Sequence, residues 1–410
     1  MQPTNVVREP VMAPGLAAKT SRVGLGLGVV GMVLAVILGM LEDDGMRHFF
    51  WAYLVGFSFV FTITLGGMFF VLIQHVTGAR WSVSVRRMGE FAMNTVPLLA
   101  VMALPLLYPL FTQAGQAEYG GLLWPWIHPH GDHADLVAFK SPFLNVPFFL
   151  GRTVFYFLVW MLVTRFFMKR SLQQDADKSE SHTIAMRKVS APCIIFFALT
   201  ISFAAFDWIM STDPTWFSTI FGVYIFGGAV LAIHSLLVIS SVFLRKRNIM
   251  NNEINTEHYH DLGKFMTAFT VFWAYIAFSQ FMLIWYANIP EETMWFHHRN
   301  TEAWKSWSYA LIFTNFAIPF FGFLSRWTKR KPQVLAFWAI YTLIVHWVDL
   351  YWLIMPNMDW NENHFGLIEI TTALGAFGFF LWAYARQATK HSILAYGDPQ
   401  LERCLAHVNY

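Results

Sequence analysis

Arg326-Trp-Thr-Lys-Arg-Lys331 runs straight into Pro-Gln-Val-Leu-Ala-Phe-Trp-Ala-Ile-Tyr-Thr-Leu-Ile-Val-His346-Trp-Val-Asp349-Leu-Tyr-Trp-Leu-Ile-Met355. From 333 to 355 the only formally charged side chain is Asp349. A surface helix of a soluble protein carries a broad charged and polar face along its length, and this run has no such face. A helix that crosses hydrocarbon about 30 Å thick needs about 20 mainly apolar residues. The run therefore reads as a membrane span, and the cations before it as its cytoplasmic boundary.

Working outward, the same pattern predicts ten spans, at 23–40, 49–74, 90–110, 145–168, 190–211, 217–244, 264–288, 306–326, 333–355 and 364–386. The chain is 56% hydrophobic and 13% charged, against roughly a quarter charged for a soluble domain. An all-α integral membrane protein is expected, with a polar segment at 1–22, a transmembrane domain at 23–386 and a tail at 387–410. If the spans alternate, all but five of the 28 Lys and Arg fall on one side, the exceptions being Arg47, Lys140, Arg152, Arg299 and Lys305. Lys/Arg excess marks the cytoplasmic face, so both chain ends are expected in the cytoplasm. Trp124, Trp126, Trp216, Trp285, Trp295, Trp304, Trp352 and Trp360 gather near the opposite ends of the spans, where an amphipathic ring is favoured. The first span has no cleavage site after Leu41 and is expected to be retained.

A net charge of +3 in short clusters gives no argument for nucleic acid. Cys193 and Cys404 are too few for a disulfide framework or a thiolate-held cluster, and both read as inert thiols. His128, His130, Asp132 and His133 lie close together in the 111–144 loop. With proline and glycine among them they read as part of a folded cap, and no metal is assigned. The charged segment from Ser171 to Ser190 reads as a solvated connector.

Charge at bilayer depth costs at least about 2.5–3.5 kcal/mol, so intramembrane ionisable groups are expected to face the protein interior and to be paired. Thr342, His346 and Asp349 share one face of the ninth span. They suit a proton relay, or a His–Asp hydrogen bond that joins helices. Tyr275, Ser279, Met282 and Tyr286 form a stripe on the seventh span, with Gln280 beside it. This suits a packed interface or a wall against a quinone headgroup, for which Tyr275, Ser279 and Tyr286 are the candidates. Asp207 on the fifth span lies at the depth of Arg152 on the fourth, so an ion pair is open there. Asp207, Gln280, His234, His346, Asp349 and Glu369 are the proton-relay candidates, with Thr372, Gln74 and His75 as weaker polar positions. No pair of mid-membrane histidines suits a haem, and no phosphate-binding loop, nucleophile elbow or dinucleotide fingerprint occurs. No cofactor is expected to be held by the chain itself, although a diffusible quinone or quinol is open. Pro97 and Pro105 interrupt the third span, but no matching break in a second half supports the inverted repeats of a secondary transporter.

Several segments carry a resemblance. Phe206-Asp-Trp-Ile-Met-Ser-Thr-Asp-Pro-Thr-Trp-Phe-Ser-Thr-Ile-Phe-Gly222, Phe272-Trp-Ala-Tyr-Ile-Ala-Phe-Ser-Gln280 and Leu283-Ile-Trp-Tyr-Ala-Asn-Ile-Pro-Glu-Glu-Thr293 are the longest. His75-Val-Thr-Gly-Ala-Arg-Trp81 and Asn145-Val-Pro-Phe-Phe-Leu-Gly-Arg152 add to them. Together they resemble the F subunits of alternative complex III, a bacterial quinol:electron-acceptor oxidoreductase, and more broadly the polysulfide-reductase (NrfD-like) membrane subunits. The resemblance implies two four-helix bundles, spans 2–5 and 6–9, flanked by spans 1 and 10, in a bacterial inner membrane. It also implies a homologous sister subunit, a multihaem cytochrome c, an iron-sulfur protein and small membrane subunits as partners, beside lipids. Quinol oxidation would fall mainly to the sister subunit. This chain would support it, conduct protons, or serve as a purely structural scaffold.

Overall fold

The computed structural model describes residues 9–44, 46–112, 123–127, 129 and 134–408. Among them, ten helical spans are long and apolar enough to cross a membrane: Pro14–Leu41, Arg47–Val76, Val83–Phe111, Val146–Asp177, Glu180–Thr212, Phe221–Arg245, Thr256–Ala287, Lys305–Leu324, Pro332–Asn357 and Leu367–Gln387. The protein is thus an all-α, multi-pass membrane protein. At 1.5 Å per residue, the 30 residues of the second span rise about 45 Å, more than the hydrocarbon requires.

Spans 2–5 pack on one another, as do spans 6–9, so two four-helix bundles form. Spans 2 and 6 are the two central helices, each buried on nearly every side. Residues such as Leu54, Phe57, Phe61 and Leu65 are fully enclosed in span 2, which explains its lack of a polar face. The two central helices touch backbone to backbone at Gly66, where an added Cβ would lie 2.2 Å from the Ala229 carbonyl oxygen.

Spans 1 and 10 stand together beside span 2. Ala17, Ser21, Gly24, Gly28, Gly31 and Ala35 form the buried stripe of span 1, while Gly375 and Gly378 answer from span 10. Small residues let backbones approach where lipid supplies no hydrophobic drive for association. A Cβ at Gly378 would sit 2.3 Å from the Gly28 nitrogen, and one at Gly31 2.6 Å from the Gly375 nitrogen. Since neither backbone can give way locally, Gly378→Val is expected to push span 10 off span 1. The cost is about 1–3 kcal/mol. A fall in the melting temperature of the detergent-solubilised chain, beside an unchanged control at exposed Gly26, would show it; equal melting would remove the requirement for contact.

The boundaries expected from hydropathy are too short at the end of the molecule where the two chain termini meet. Span 4 continues to Asp177 and span 5 begins at Glu180, with Lys178 in the left-handed region and the Ser179 side chain capping the second helix. The stretch read as a solvated connector is therefore mostly helix. Span 7 begins at Thr256 behind Asn255, whose side chain accepts from the His258 amide while the His258 ring accepts from the Asn255 amide. Helices capped in this way extend polar turns beyond the hydrocarbon, where hydropathy no longer sees them. Span 3 bends at Asn94–Thr95, ahead of Pro97.

The tail is no solvated extension. Ile393, Leu394, Ala395, Leu401 and Cys404 are buried, and the Ile393 amide donates to the Val11 carbonyl at 2.9 Å. The segment straps the terminal face of both bundles.

Candidate functional site

The ninth span delivers its polar stripe to three neighbours. Asp349, 1% exposed, accepts a hydrogen bond from the Tyr224 hydroxyl of span 6 at 2.5 Å and one from the Trp273 indole of span 7 at 3.1 Å. Both its oxygens are held by neutral donors, and no Lys, Arg or His pairs with it among the described residues. His346, one turn earlier, does not bond to Asp349; its Nε2 lies 2.9 Å from the Thr62 hydroxyl on span 2. A Cβ at Gly228 would meet the His346 ring at 2.6 Å, so the glycine makes room for the imidazole. Thr342 bonds back to its own helix at Trp338. The His–Asp bond, one of the two readings open for this stripe, does not form, because each side chain reaches a different neighbour helix.

Beside Tyr224 and Trp273 lies a cavity of about 740 Å³ between spans 7 and 8, closed at the far end from the termini by the 288–300 segment. Gln280, Tyr224, His297, Asn288 and Arg299 are its main polar lining, and most of the rest is apolar. Its rim residues Phe278, Trp285, Tyr309 and Ile312 are exposed on the lateral surface, so it opens toward the membrane. One turn of π-helix, Ile312–Ala317, runs along span 8 at this wall. The wider turn moves Ile312 and Phe316 to the lining, and such turns occur often at functional sites.

Arg299 is 1% exposed and anchors this end of the cavity. Its guanidinium donates to the carbonyls of Trp352, Trp295 and Leu353 and to the Asn357 side chain, at 3.3, 3.0, 2.7 and 3.0 Å. It lies 3.4 Å from the centre of the Trp295 ring. Trp352 and Leu353 end span 9, so their carbonyls present the negative pole of a helix to the cation. Burial moves the Arg299 pKa well below the usual guanidinium value, with the charge of Asp213 opposing it.

The stripe expected to face a quinone does not face this cavity. Tyr275 is 65% and Tyr286 84% exposed on the outward side of span 7, and Ser279 is only half-buried. The cavity is lined instead by Trp273, Ala277, Gln280 and Ile284, nearly half a turn away. Among the relay candidates, Gln280 lines the cavity, and Asp349 stands behind the lining residues Tyr224 and Trp273. His234 does not join them: its Nδ1 is 2.7 Å from the Val230 carbonyl of its own helix, and its ring stacks on Phe265.

Arg152 and Asp207 form a bidentate pair at 2.8 and 2.7 Å. The Tyr156 hydroxyl adds a third bond to Asp207 at 2.6 Å, and the guanidinium also lies over Phe143 and Phe148. With three donors on its two oxygens, two of them from a guanidinium, Asp207 is built as a joint rather than as a carrier. Glu369 caps its own helix at Gly366 and meets His48 at 2.5 Å; the other nitrogen of His48 meets Glu42 at 2.9 Å. This chain joins spans 1, 2 and 10 at the end opposite the termini.

A cluster not foreseen from the sequence lies at the terminal end. Arg86, Arg87 and Glu90, on span 3 and below 5% exposure, meet Asp175 of span 4 and Asp398 of the tail. The pairs are Arg86–Glu90 at 3.3 Å, Arg86–Asp398 at 2.6 Å, Arg87–Glu90 at 2.9 Å and Arg87–Asp175 at 2.8 Å. Ser171 donates to Glu90, and His75 packs close by against Phe167. The Arg, Arg, Glu spacing of i, i+1, i+4 was the available signal; reading the arginines as loop cations concealed it.

Asp359, Glu362 and His364 bring ligand atoms within 4.8 Å of one another. Two of the three are exposed, and Asp359 accepts from the amides of Asn361 and Glu362, which is the bonding of a turn. His128, His130, Asp132 and His133 lie outside the described residues. No known protein family and no curated protein matches the chain.

Proposed function

We propose that the chain is a membrane subunit of a bacterial quinol:electron-acceptor oxidoreductase of the alternative complex III type, supporting quinol oxidation by accepting and passing protons at Asp349. One observation carries this reading: a fully buried carboxylate with no cationic partner among the described residues sits behind a membrane-open cavity and touches it through Tyr224. Held only by neutral donors and with no fixed cation beside it, such a carboxylate is able to take up a proton. Gln280 and Tyr224 give the cavity side a donor and acceptor surface, and His346 continues the stripe toward span 2. In this reading the quinol chemistry and the electrons belong to a homologous sister subunit, a multihaem cytochrome c and an iron-sulfur protein. Small membrane subunits complete the assembly, in the inner membrane with both ends of this chain cytoplasmic.

The bidentate Arg152–Asp207 joint favours a second reading, a scaffold whose polar groups only join helices. Asp349→Asn separates the two. It keeps the shape and one acceptor but cannot carry a proton. In vesicles holding the assembled complex, proton release per quinol is expected to fall, and proton-coupled turnover to slow by about a hundredfold or more. Unchanged proton yield in a complex of normal subunit content would leave the scaffold.

A further inference from the structure

The cavity beside Asp349 has a charge asymmetry that proton handling does not use. Its lining carries one guanidinium, Arg299, with His297 beside it, and among the described lining residues no carboxylate. Asp349 is screened from the space by Tyr224 and Trp273, which occupy its two oxygens. Arg299 has no ion-pair partner among the described residues, and each of its four hydrogen bonds ends on a neutral oxygen. A guanidinium has five N–H donors, so one remains. Asp213 acts on Arg299 only through space; a buried cation whose direct partners are all neutral is costly, and an anionic oxygen relieves that cost with a strong, charge-assisted bond. Away from Arg299 the walls are Phe278, Phe281, Ile284, Ile312 and Phe316, which suit alkyl chain rather than water. The opening lies on the lateral surface, where lipid can enter without crossing water.

We propose that this cavity is a binding site for an anionic phospholipid, with the phosphate at the Arg299 end and acyl chain along the wall between spans 7 and 8. The proposal goes beyond the proton reading and does not depend on it. A bound acyl chain would lie against Ile312 and Phe316 of the π-helical turn and keep water from Tyr224.

The test uses the full chain purified in detergent, stripped of lipid, and offered dioleoylphosphatidylglycerol, dioleoylphosphatidylcholine, oleate or a short-chain ubiquinone, with bound molecules counted by native mass spectrometry. Phosphatidylglycerol is expected to bind about tenfold more tightly than phosphatidylcholine, and Arg299→Gln to abolish that preference. Because Arg299 also anchors the 288–300 segment, Ala277→Trp serves as a second variant. It fills the cavity with the cation retained, and is expected to lose phosphatidylglycerol while melting like the parent. Equal affinity for the two phospholipids, or retention of phosphatidylglycerol by Ala277→Trp, overturns the proposal. Preferential binding of oleate would make the site one for fatty-acid carboxylates, and preferential binding of the ubiquinone one for a neutral redox carrier; either overturns the phospholipid assignment. None of these results moves the proton yield of Asp349→Asn, so the two readings fail separately.

Discussion

Arg87→Met is expected to destabilise the chain by about 3–5 kcal/mol, the range for removing one partner from a buried ion pair. Arg87 is fully enclosed and bonds to Asp175, Glu90 and Ser171. Without it, Asp175 keeps only the Gly397 amide at 3.1 Å, and Glu90 must share Arg86 with Asp398. Three buried carboxylates would then face one guanidinium instead of two. Methionine fills much of the volume, so the loss reports charge rather than a void. The double change Arg87→Met with Asp175→Leu removes both members of one pair, and a buried pair replaced by apolar groups is often near neutral. Thermal melting of parent, single and double variants closes the cycle. If Arg87→Met melts within a degree of the parent, the cluster is not a structural joint, and its carboxylates hold protons instead of charge.

What the sequence revealed divides along a physical line. The ten spans were legible because exposing a polar backbone or charge to hydrocarbon is prohibitive, so every crossing must write about 20 apolar residues into the chain. The Arg152–Asp207 joint was legible because both groups lie at one depth on consecutive helices. Asp349 and His346 were legible as a shared face. Their partners Tyr224, Trp273 and Thr62 were not, because helical spacing says which residues share a face and nothing about what opposes it. Tyr275 and Tyr286 show the same limit more sharply. In a soluble helix the polar face looks outward, but here protein interior and lipid are both apolar, so composition gives a stripe without a direction. Arg86 and Arg87 failed for another reason. The charge rule for membrane orientation assigns cations to loops, whereas these are paid off by Glu90, Asp175 and Asp398, the last more than 300 residues away. The tail was hidden because a few apolar residues such as Ile393, Leu394 and Leu401 form no periodic element; only contact with both bundles makes them a core.

Asp398→Leu is expected to detach that tail from the terminal face, and Cys404 provides the readout. Asp398 is 1% exposed and meets Arg86 at 2.6 Å. Its loss leaves Arg86 with only the longer contact to Glu90, at a cost comparable to that of Arg87→Met, about 3–5 kcal/mol. Six residues on, the Cys404 thiol is fully buried, donating to the Trp81 carbonyl and lying 3.1 Å from the Ser84 hydroxyl and 3.3 Å from the His258 ring. Burial raises its pKa, although the Ser84 bonds act in the other direction. Reaction with a water-soluble maleimide near pH 7 is therefore slow in the intact chain, since the thiolate is the nucleophile and the site must first open. Freeing the strap removes both barriers, and labelling of Cys404 is expected to accelerate at least about tenfold. Cys193 lies half-buried in span 5, out of reach of a water-soluble reagent, so the label reports Cys404; Cys193→Ser in both chains checks this. If labelling of Cys404 in Asp398→Leu stays at the parental rate while melting falls, the tail is held by its apolar residues and by the 2.6 Å contact between His407 and Asp261. The carboxylate then stabilises Arg86 without fastening the strap.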